Sequence, residues 1–497
     1  MLKWLRRVIR KINEADTALV RRSARLPRSG VDPGLKTLTT AADHSMVWFA
    51  IAAALATRRG VTRRAALRGV AAVGAASCVT NLVAKPLFPR RRPPAELMPV
   101  HRRLTTPPGS SSFPSGHAAS AAAFTTAVAL EKPVAGALLV PLATAVAYSR
   151  VHTGVHWPSD VVAGLMLGVG TGLATTRWWP VRPKTPALAR PGTRVDRLPL
   201  GEGLVVLVNP ASGDPVHDPG PQLAAHWPAA TLVYPGSGTD LADRLEGILA
   251  AGDGRVRAVG VAGGDGSVAA AATVAARHEL PLVVVPTGTL NHFARDLGVT
   301  DPADSVAAVR SGMAVRVDLG TVWVDGAEQY RFVNTASLGG YPEMVRLRER
   351  WAPRWGRWPA ATAALLRVLA EARPLTVLLD GKEHRVWLLF VGNGGYQPKG
   401  FAPSWRPRLD DGLLDIRYVR ADVPLSRLRF ATAALTGALF RSRTYVQQEQ
   451  QHLTVEVLGD PVALACDGEV RTRGRTFVFT ARETTLTVYR PAGAERG

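Results

Sequence analysis

The chain has 497 residues, 61 Lys and Arg against 39 Asp and Glu for a formal net charge of +22, and 46% hydrophobic residues. That length exceeds one ordinary domain, and the charge excludes an acidic solvating chain and calls for an anionic partner. The basic residues lie beside apolar stretches and Trp and not in a nucleic-acid module, so the expected partner is a membrane with no nucleic acid; the widely separated Cys78 and Cys466 support no disulfide framework, redox motif or zinc site.

Residues 1–44 begin with Trp4, Leu5, Val8, Ile9 and Ile12 interleaved with Lys3, Arg6, Arg7, Arg10 and Lys11. This is a basic amphipathic segment without a cleavable signal's long apolar core, and it is expected on a membrane surface. Ala- and Gly-rich apolar segments follow at 46–57, 69–84, 117–130, 134–148 and 161–179. Each falls somewhat short of the ~20 residues that cross hydrocarbon, although tilt and polar flanks extend such segments. Small residues suit close helix packing in lipid. Residues 45–180 therefore read as an all-α membrane helix bundle, with a soluble helical bundle as the alternative.

Chemistry-bearing residues cluster at the ends of these segments. Lys85 is followed by Arg92-Pro93; Pro114-Ser115-Gly116-His117 opens an apolar helix; Ser149-Arg150 precedes His156 and Asp160. Lys85, Arg92 and Arg150 suit phosphate oxygens, with Ser115 and the Gly116 amide adding donors at a helix N-terminus. His156 and Asp160 stand four apart, so on a helix Asp160 can accept from one ring nitrogen while the other attacks phosphorus. His117 remains to protonate the departing oxygen. A zinc ion on His152 and His156 is the weaker reading, because no further ligand follows at a typical spacing.

These three motifs resemble the type 2 phosphatidic acid phosphatase superfamily. The resemblance implies metal-independent phosphate ester hydrolysis through a phosphohistidine on His156, with His117 as general acid and Asp160 as orienter. Vanadium haloperoxidases share the cradle, but the apolar helices favour lipid phosphates. Segment parity sends all three motifs to one membrane side, and the arginines Arg58, Arg59, Arg63, Arg64 and Arg68 mark the other side as cytoplasmic. With five full spans, the basic N-terminus falls outside, against the same rule.

Arg177 to Pro199, with its Trp178-Trp179 pair, reads as an interfacial anchor running into the linker 181–202. In 203–315 three apolar strands each end in a polar, Gly-containing loop: Asn209-Pro210-Ala211-Ser212-Gly213, Gly263-Gly264-Asp265-Gly266-Ser267 and Pro286-Thr287-Gly288-Thr289-Leu290-Asn291. Helical stretches near 239–251 and 267–279 separate them, giving an α/β nucleotide-binding domain whose loops are sized for phosphate. No P-loop or Rossmann fingerprint is present.

The loops, together with Leu409-Asp410-Asp411-Gly412 and Asp467-Gly468-Glu469, resemble the diacylglycerol kinase catalytic family over about 203–490. The resemblance implies ATP and Mg2+ as cofactors, Glu469 as the base for the lipid hydroxyl, Asp410 and Asp411 as magnesium support, and Asp265 as a holder of the nucleotide's magnesium and phosphates. His292 departs from the family pattern, which more often has Asp there. Residues 316–497 read as a mainly antiparallel β domain from runs at 331–337, 375–380, 385–391, 453–458, 476–481 and 484–489. Its insertion 344–369 interleaves Arg346, Arg348, Arg350, Arg354 and Arg357 with Trp351, Trp355 and Trp358, a pattern suited to a lipid surface; 424–443 is a weaker stretch of this sort.

The whole chain thus reads as a multi-pass cell-membrane enzyme, a lipid phosphate phosphatase facing outward joined to a cytoplasmic lipid kinase. Diacylglycerol, phosphatidate or polyprenyl phosphate are the lipids considered. The rival readings are a lipid-binding or transport protein with vestigial sites, and an NAD-kinase-like C-terminal half.

Overall fold

In the computed structural model the chain forms two units, Met1–Val181 and Arg182–Gly497. It describes residues 2–491 except 59, 107, 184, 193, 211, 213–217, 236–240, 252–254, 289–290, 341–343, 345–346, 348–349, 352–353, 356–359, 361–362, 365–366, 369–372 and 400–403.

The first unit is helical. Leu2–Ala24 forms the amphipathic helix expected of the N-terminus, exposing Trp4, Ile9, Ile12 and Leu19 while burying Asp16 and Val20. The apolar segments become helices at Met46–Ala56, Val61–Leu87, Gly116–Glu131, Pro133–His152 and Pro158–Ala174. Among the described residues, Val61–Leu87 and Pro133–His152 are long and apolar enough to cross a membrane; Val31–Ala41 with Asp43–Ala56, bent by 68°, makes a third if counted as one span.

Glycine decides how two of these helices meet. Gly164, Gly168 and Gly172 recur every fourth residue along Pro158–Ala174, facing Gly116–Glu131. A Cβ on Gly164 would collide with the Ser115 carbonyl, one on Gly168 with the Ala119 carbonyl, and one on Gly172 would lie 2.9 Å from Thr126 Cβ. Such small-residue stripes let helix backbones approach closely. The approach brings the two helix starts together, and Ser115 N donates to the Asp160 carbonyl at 2.9 Å.

The arginines expected in a free basic loop are partly internal. Arg68 is fully buried and donates to Glu131 Oε1 at 2.7 Å, Thr175 Oγ1 at 3.0 Å and the Trp179 carbonyl at 2.5 Å. Arg64 shares Glu131 at 2.8 Å and covers the Trp179 ring at 5.3 Å. An isolated charge cannot be buried cheaply, so these two arginines serve Glu131 and the end of the last helix; Arg58 and Arg63 stay exposed, and Arg59 lies outside the described residues.

The second unit begins inside the stretch read as a linker. Ala187 and Leu198 are buried in its core, and β1 (Arg190–Pro191) pairs with β6 (Ala314–Val324), so 187–198 is packed rather than free. The continuous apolar runs β2 (Leu204–Val208), β4 (Ala258–Gly263) and β5 (Leu282–Pro286) form a parallel sheet, with β3 (Thr231–Val233) at its edge. Strands buried on both faces read as unbroken Val and Leu, as here. Helices Leu241–Ala251 and Asp265–Arg277 follow β3 and β4.

The antiparallel part comprises β7 (Glu328–Phe332), β8 (Thr335–Gly339), β9 (Leu375–Leu379), β10 (Lys382–Asn393), β11 (Leu414–Arg420), β12 (Tyr445–Gln450), β13 (His452–Val457), β14 (Val462–Cys466), β15 (Glu469–Gly474) and β16 (Thr476–Tyr489). The expected run 331–337 is broken into β7 and β8, while 476–481 and 484–489 are one strand whose pairing with β6 shifts register between Thr480 and Thr484. β16 also pairs in parallel with β5, joining the two sheets. Of the insertion, Trp351 and Trp355 are described with centroids 5.3 Å apart, and Arg350 and Arg354 are exposed; Arg346, Arg348, Arg357 and Trp358 lie outside the described residues. The fold is therefore a helical N-terminal unit followed by an α/β domain and a mainly antiparallel sheet.

Candidate active sites

The phosphatase motifs converge. His156 and Asp160 are almost wholly buried, yet their contact is indirect, because the loop between them carries the turn Trp157-Pro158 and His156 precedes the helix. His156 Nδ1 donates to the Ser112 carbonyl at 2.7 Å and stands 3.7 Å from Asp160 Oδ2. The expected direct Asp–His hydrogen bond is thus replaced by a route through Ser112, whose hydroxyl donates to Asp160 Oδ2 in a short contact. Asp160 also accepts from Trp157 N at 2.9 Å and Arg90 Nη1 at 2.6 Å. With Nδ1 engaged, Nε2 faces Arg92 Nη1 at 3.4 Å.

Burial is the main force lowering the His156 pKa to about 4; the Asp160 contact opposes it, and the charges of Arg150 and Arg92 add to it. At neutral pH the imidazole is therefore uncharged. Arg92 donates to the Val155 carbonyl at 2.6 Å and the Ser110 carbonyl at 3.1 Å, which fixes its guanidinium at the pocket. Lys85 Nζ is held by Asn81 Oδ1 at 2.9 Å and Ser110 Oγ at 3.2 Å. Ser115 Oγ and Arg150 Nε are buried with no hydrogen-bond partner among the described residues. Buried polar groups ordinarily have partners, so these two orphans, with Gly116 at the helix start, form a cradle awaiting oxygen acceptors.

Sequence reasoning missed five residues here. Arg90 links Asp160 to Asp16 Oδ2 at 2.7 Å, and Asp16 also takes Ser159 N at 2.9 Å, latching the N-terminal helix to the site. Thr39 Oγ1 accepts from Arg150 Nη1 at 3.1 Å, and Asp43 Oδ1 lies 2.8 Å from His117 Nε2. Arg90 and Ser112 were signalled only by adjacency to the Arg92 and Pro114 motifs, and the other three by nothing local. His152 Nε2 lies 2.8 Å from Asp32 Oδ1, and His101 Nε2 lies 3.4 Å from Asp32 Oδ2.

In the second unit the three nucleotide loops meet. Asn209 Nδ2 donates to Ser267 Oγ at 3.0 Å, and Ser212 Oγ lies 2.9 Å from Thr287 Oγ1. Gly288 packs so closely on Gly264 that a Cβ there would sit 2.5 Å from its Cα and 2.7 Å from Asn291 Oδ1. Gly263 and Gly264 lead into the N-terminus of Asp265–Arg277, where backbone amides and the helix dipole favour phosphate. Gly213 and Thr289 lie outside the described residues.

Asp467 and Gly468, at φ 49° and 90°, make the tight β14–β15 turn. Asp467 accepts from the amides of Val333, Asn334 and Thr335 at 2.8, 2.8 and 2.9 Å. This fixes the turn so that Glu469 overhangs the glycine loop: a Cβ on Gly266 would lie 2.9 Å from Glu469 Oε1. Asp265 accepts weakly from Phe293 N at 3.4 Å and has no other hydrogen bond among the described residues, leaving oxygens that fit a divalent cation. Burial lowers the His292 pKa to about 4, with the nearby Asp265 opposing, so this departure from the family pattern adds no charge at neutral pH.

Asp410 and Asp411 stand at the turn before β11. Asp410 is neutralised by Arg190 at 3.3 Å and Arg408 at 3.1 Å, and Asp411 accepts from Gly395 N at 3.0 Å and Leu413 N at 3.1 Å. The cations beside Asp410 oppose a metal at that carboxylate.

The fold and sites define a buried-histidine phosphatase joined to a glycine-loop kinase. Residues 64–184 match the PAP2 superfamily and residues 203–322 the diacylglycerol kinase catalytic domain. The chain is 32% identical over 252 residues to a diacylglycerol kinase of Mycobacterium tuberculosis, covering 47% of this chain and 79% of the relative. It is 38% identical over 154 residues to a decaprenylphosphoryl-5-phosphoribose phosphatase of Mycolicibacterium smegmatis, covering 30% of this chain and 80% of the relative. A diacylglycerol kinase structure from Bacillus anthracis aligns with TM-score 0.40 and 19% identity, over 59% of this chain and 98% of that one. The chain belongs to both families in series, a PAP2 phosphatase domain fused to a diacylglycerol-kinase-type lipid kinase domain.

Proposed function

We propose that the N-terminal half removes phosphate from a membrane lipid through a phosphohistidine on His156, and that the C-terminal half phosphorylates a lipid hydroxyl from ATP. The observation that carries the first part is a buried, neutral imidazole anchored by Nδ1, with Nε2 beside Arg92 and two orphaned donors nearby. His156 Nε2 attacks phosphorus, His117 protonates the departing alkoxide, and Lys85, Arg92 and Arg150 neutralise charge on the phosphoryl oxygens. Water then cleaves the phosphorus–nitrogen bond and frees phosphate.

For the kinase, the loops around Asn209, Gly264 and Gly288 bind ATP phosphates, and Glu469 takes the proton from the lipid hydroxyl. Asp265 would hold a magnesium ion, and that ion would supply charge neutralisation for the transferred phosphoryl group. Diacylglycerol is the acceptor and a polyprenyl-linked phosphate the phosphatase substrate suggested by the relatives' names. The functional divisions are 45–180 for the phosphatase and 203–497 for the kinase. The protein is multi-pass, with the phosphatase site outside the cytoplasm and the kinase inside, since ATP is cytoplasmic. A lipid-resolved assay of phosphate release and ATP transfer on the purified chain in liposomes tests the reading.

A further inference from the structure

Asp43 lies outside the residues matched to the phosphatase family, 64–184, yet its carboxylate touches His117. We propose that Asp43 is the positioning carboxylate of the general acid, holding His117 by Nε2 so that Nδ1 delivers its proton to the departing lipid oxygen. The proposal rests on the phosphatase reading above and gives the pocket a second oriented histidine beside His156.

The backbone is bent to put Asp43 there. Helix Val31–Ala41 ends at Ala42, and His44 and Ser45 follow at φ 52° and 62°, the left-handed region that costs a residue with a Cβ roughly 1 kcal/mol or more. The result is the 68° bend between Val31–Ala41 and Asp43–Ala56. Both sides of the bend are pinned to the catalytic helices: Thr39 Oγ1 lies 2.6 Å from Ser149 Oγ, and Ser45 Oγ donates to Ser120 Oγ at 3.1 Å. Strain kept in place by contacts on both flanks is characteristic of functional positions.

Charge gives the bend a purpose. Arg150, Lys85, Arg92 and His156 all lie near His117. Asp43 is the carboxylate in contact with the ring, and it also faces Arg150. Its side chain is 49% exposed, and exposed ion pairs add little to stability. Its place is therefore explained by what it does to His117, whose Nδ1 has no hydrogen-bond partner among the described residues.

The step balances simply. His156 Nε2 bonds to phosphorus as the phosphorus–oxygen bond to the lipid breaks, and the proton on His117 Nδ1 passes to that oxygen. In the second step water attacks phosphorus, its proton returns to His117, and the phosphorus–nitrogen bond breaks. Asp43 keeps its hydrogen bond to Nε2 throughout, as the carboxylate of a Ser-His-Asp triad does for its histidine.

The test compares two leaving groups on the full chain. p-Nitrophenolate departs without a proton, whereas a long-chain alkoxide needs one, and kcat/KM reports the step in which it leaves. Asp43→Asn should lower kcat/KM for a long-chain alkyl phosphate by about 10- to 100-fold, less than the roughly 10²- to 10⁴-fold a general acid itself contributes, because the acid stays and only its orienter is weakened. It should change p-nitrophenyl phosphate by less than about threefold, and Asp43→Glu should recover most of the alkyl activity. ATP-dependent lipid phosphorylation by the same samples checks that the chain is folded. Equal losses on both substrates, or no loss on either, overturn the role of Asp43; a wild-type chain that releases no phosphate from any ester overturns the phosphatase reading instead.

Discussion

Arg90 binds Asp160 at 2.6 Å, while the histidine that Asp160 serves stands farther off at 3.7 Å. Asp160 therefore acts within a network of Arg90, Ser112 and the Trp157 amide that sets the turn carrying His156. Removing Arg90 leaves a buried carboxylate short of its cation, which is costly. Arg90→Ala should lower phosphate release by roughly 10- to 100-fold, about 1.4 to 2.7 kcal/mol in the barrier. Asp16→Ala, one contact farther away, should cost less than about tenfold. Steady-state phosphate release from both variants checks the order, and a larger loss from Asp16→Ala would reverse it.

His156 makes stability depend on pH. Its folded pKa of about 4 lies below the 6.5 of an unperturbed histidine, so between these values the unfolded chain binds the additional proton. The contribution is fully present above pH 6.5 and is lost as pH falls toward 4. His156→Gln should flatten that part of the thermal-denaturation profile of the first unit, measured in detergent from pH 4 to 7. A variant that loses stability with acid as steeply as the wild type would show that other groups dominate.

Gly266 should be intolerant of a side chain for catalytic reasons. A methyl group there meets the mobile end of Glu469, which can move aside, so folding should survive while the base leaves its place. Gly266→Ala is expected to cut lipid phosphorylation about tenfold or more, by the weight of a displaced general base, with the melting temperature nearly unchanged. Asp265→Ala should also suppress the kinase, and it should raise the magnesium concentration needed for half-maximal turnover in any residual activity. Asp410→Asn should leave that magnesium dependence alone.

Sidedness has its own test. After replacement of Cys78 and Cys466, a cysteine at Ser110 should react with an impermeant maleimide in intact cells and one at Asp460 should not; both positions are exposed. Labelling of Asp460→Cys would put the kinase outside and remove its access to ATP.

The residues that meet in the first unit's pocket could be read from the sequence because each lies in a short run: Lys85 to Arg92, Ser115 to His117, Arg150 to Asp160. The nucleotide loops were legible for the same reason, each sitting at the end of an unbroken apolar strand. What escaped were partners distant along the chain. Asp43 meets His117 across 74 residues, and Arg90 meets Asp16 across a similar gap, so no local pattern announces either pair. Arg68 and Asp410 show the opposite: a local pattern suggested a cytoplasmic loop and magnesium support, while the fold set Arg68 on Glu131 and placed Arg190 and Arg408 beside Asp410.

The central claim is that one chain holds two independent phosphoryl-transfer sites. The most direct measurement is a paired assay on purified wild type, His156→Ala and Glu469→Gln in liposomes, following phosphate release from a lipid phosphate and transfer from ATP to diacylglycerol, with and without a magnesium chelator. His156→Ala should abolish phosphate release and the labelled phosphoenzyme while leaving transfer intact. Glu469→Gln and the chelator should stop transfer and spare release. Full phosphate release by His156→Ala, or loss of both activities from either single substitution in a folded chain, would contradict the account.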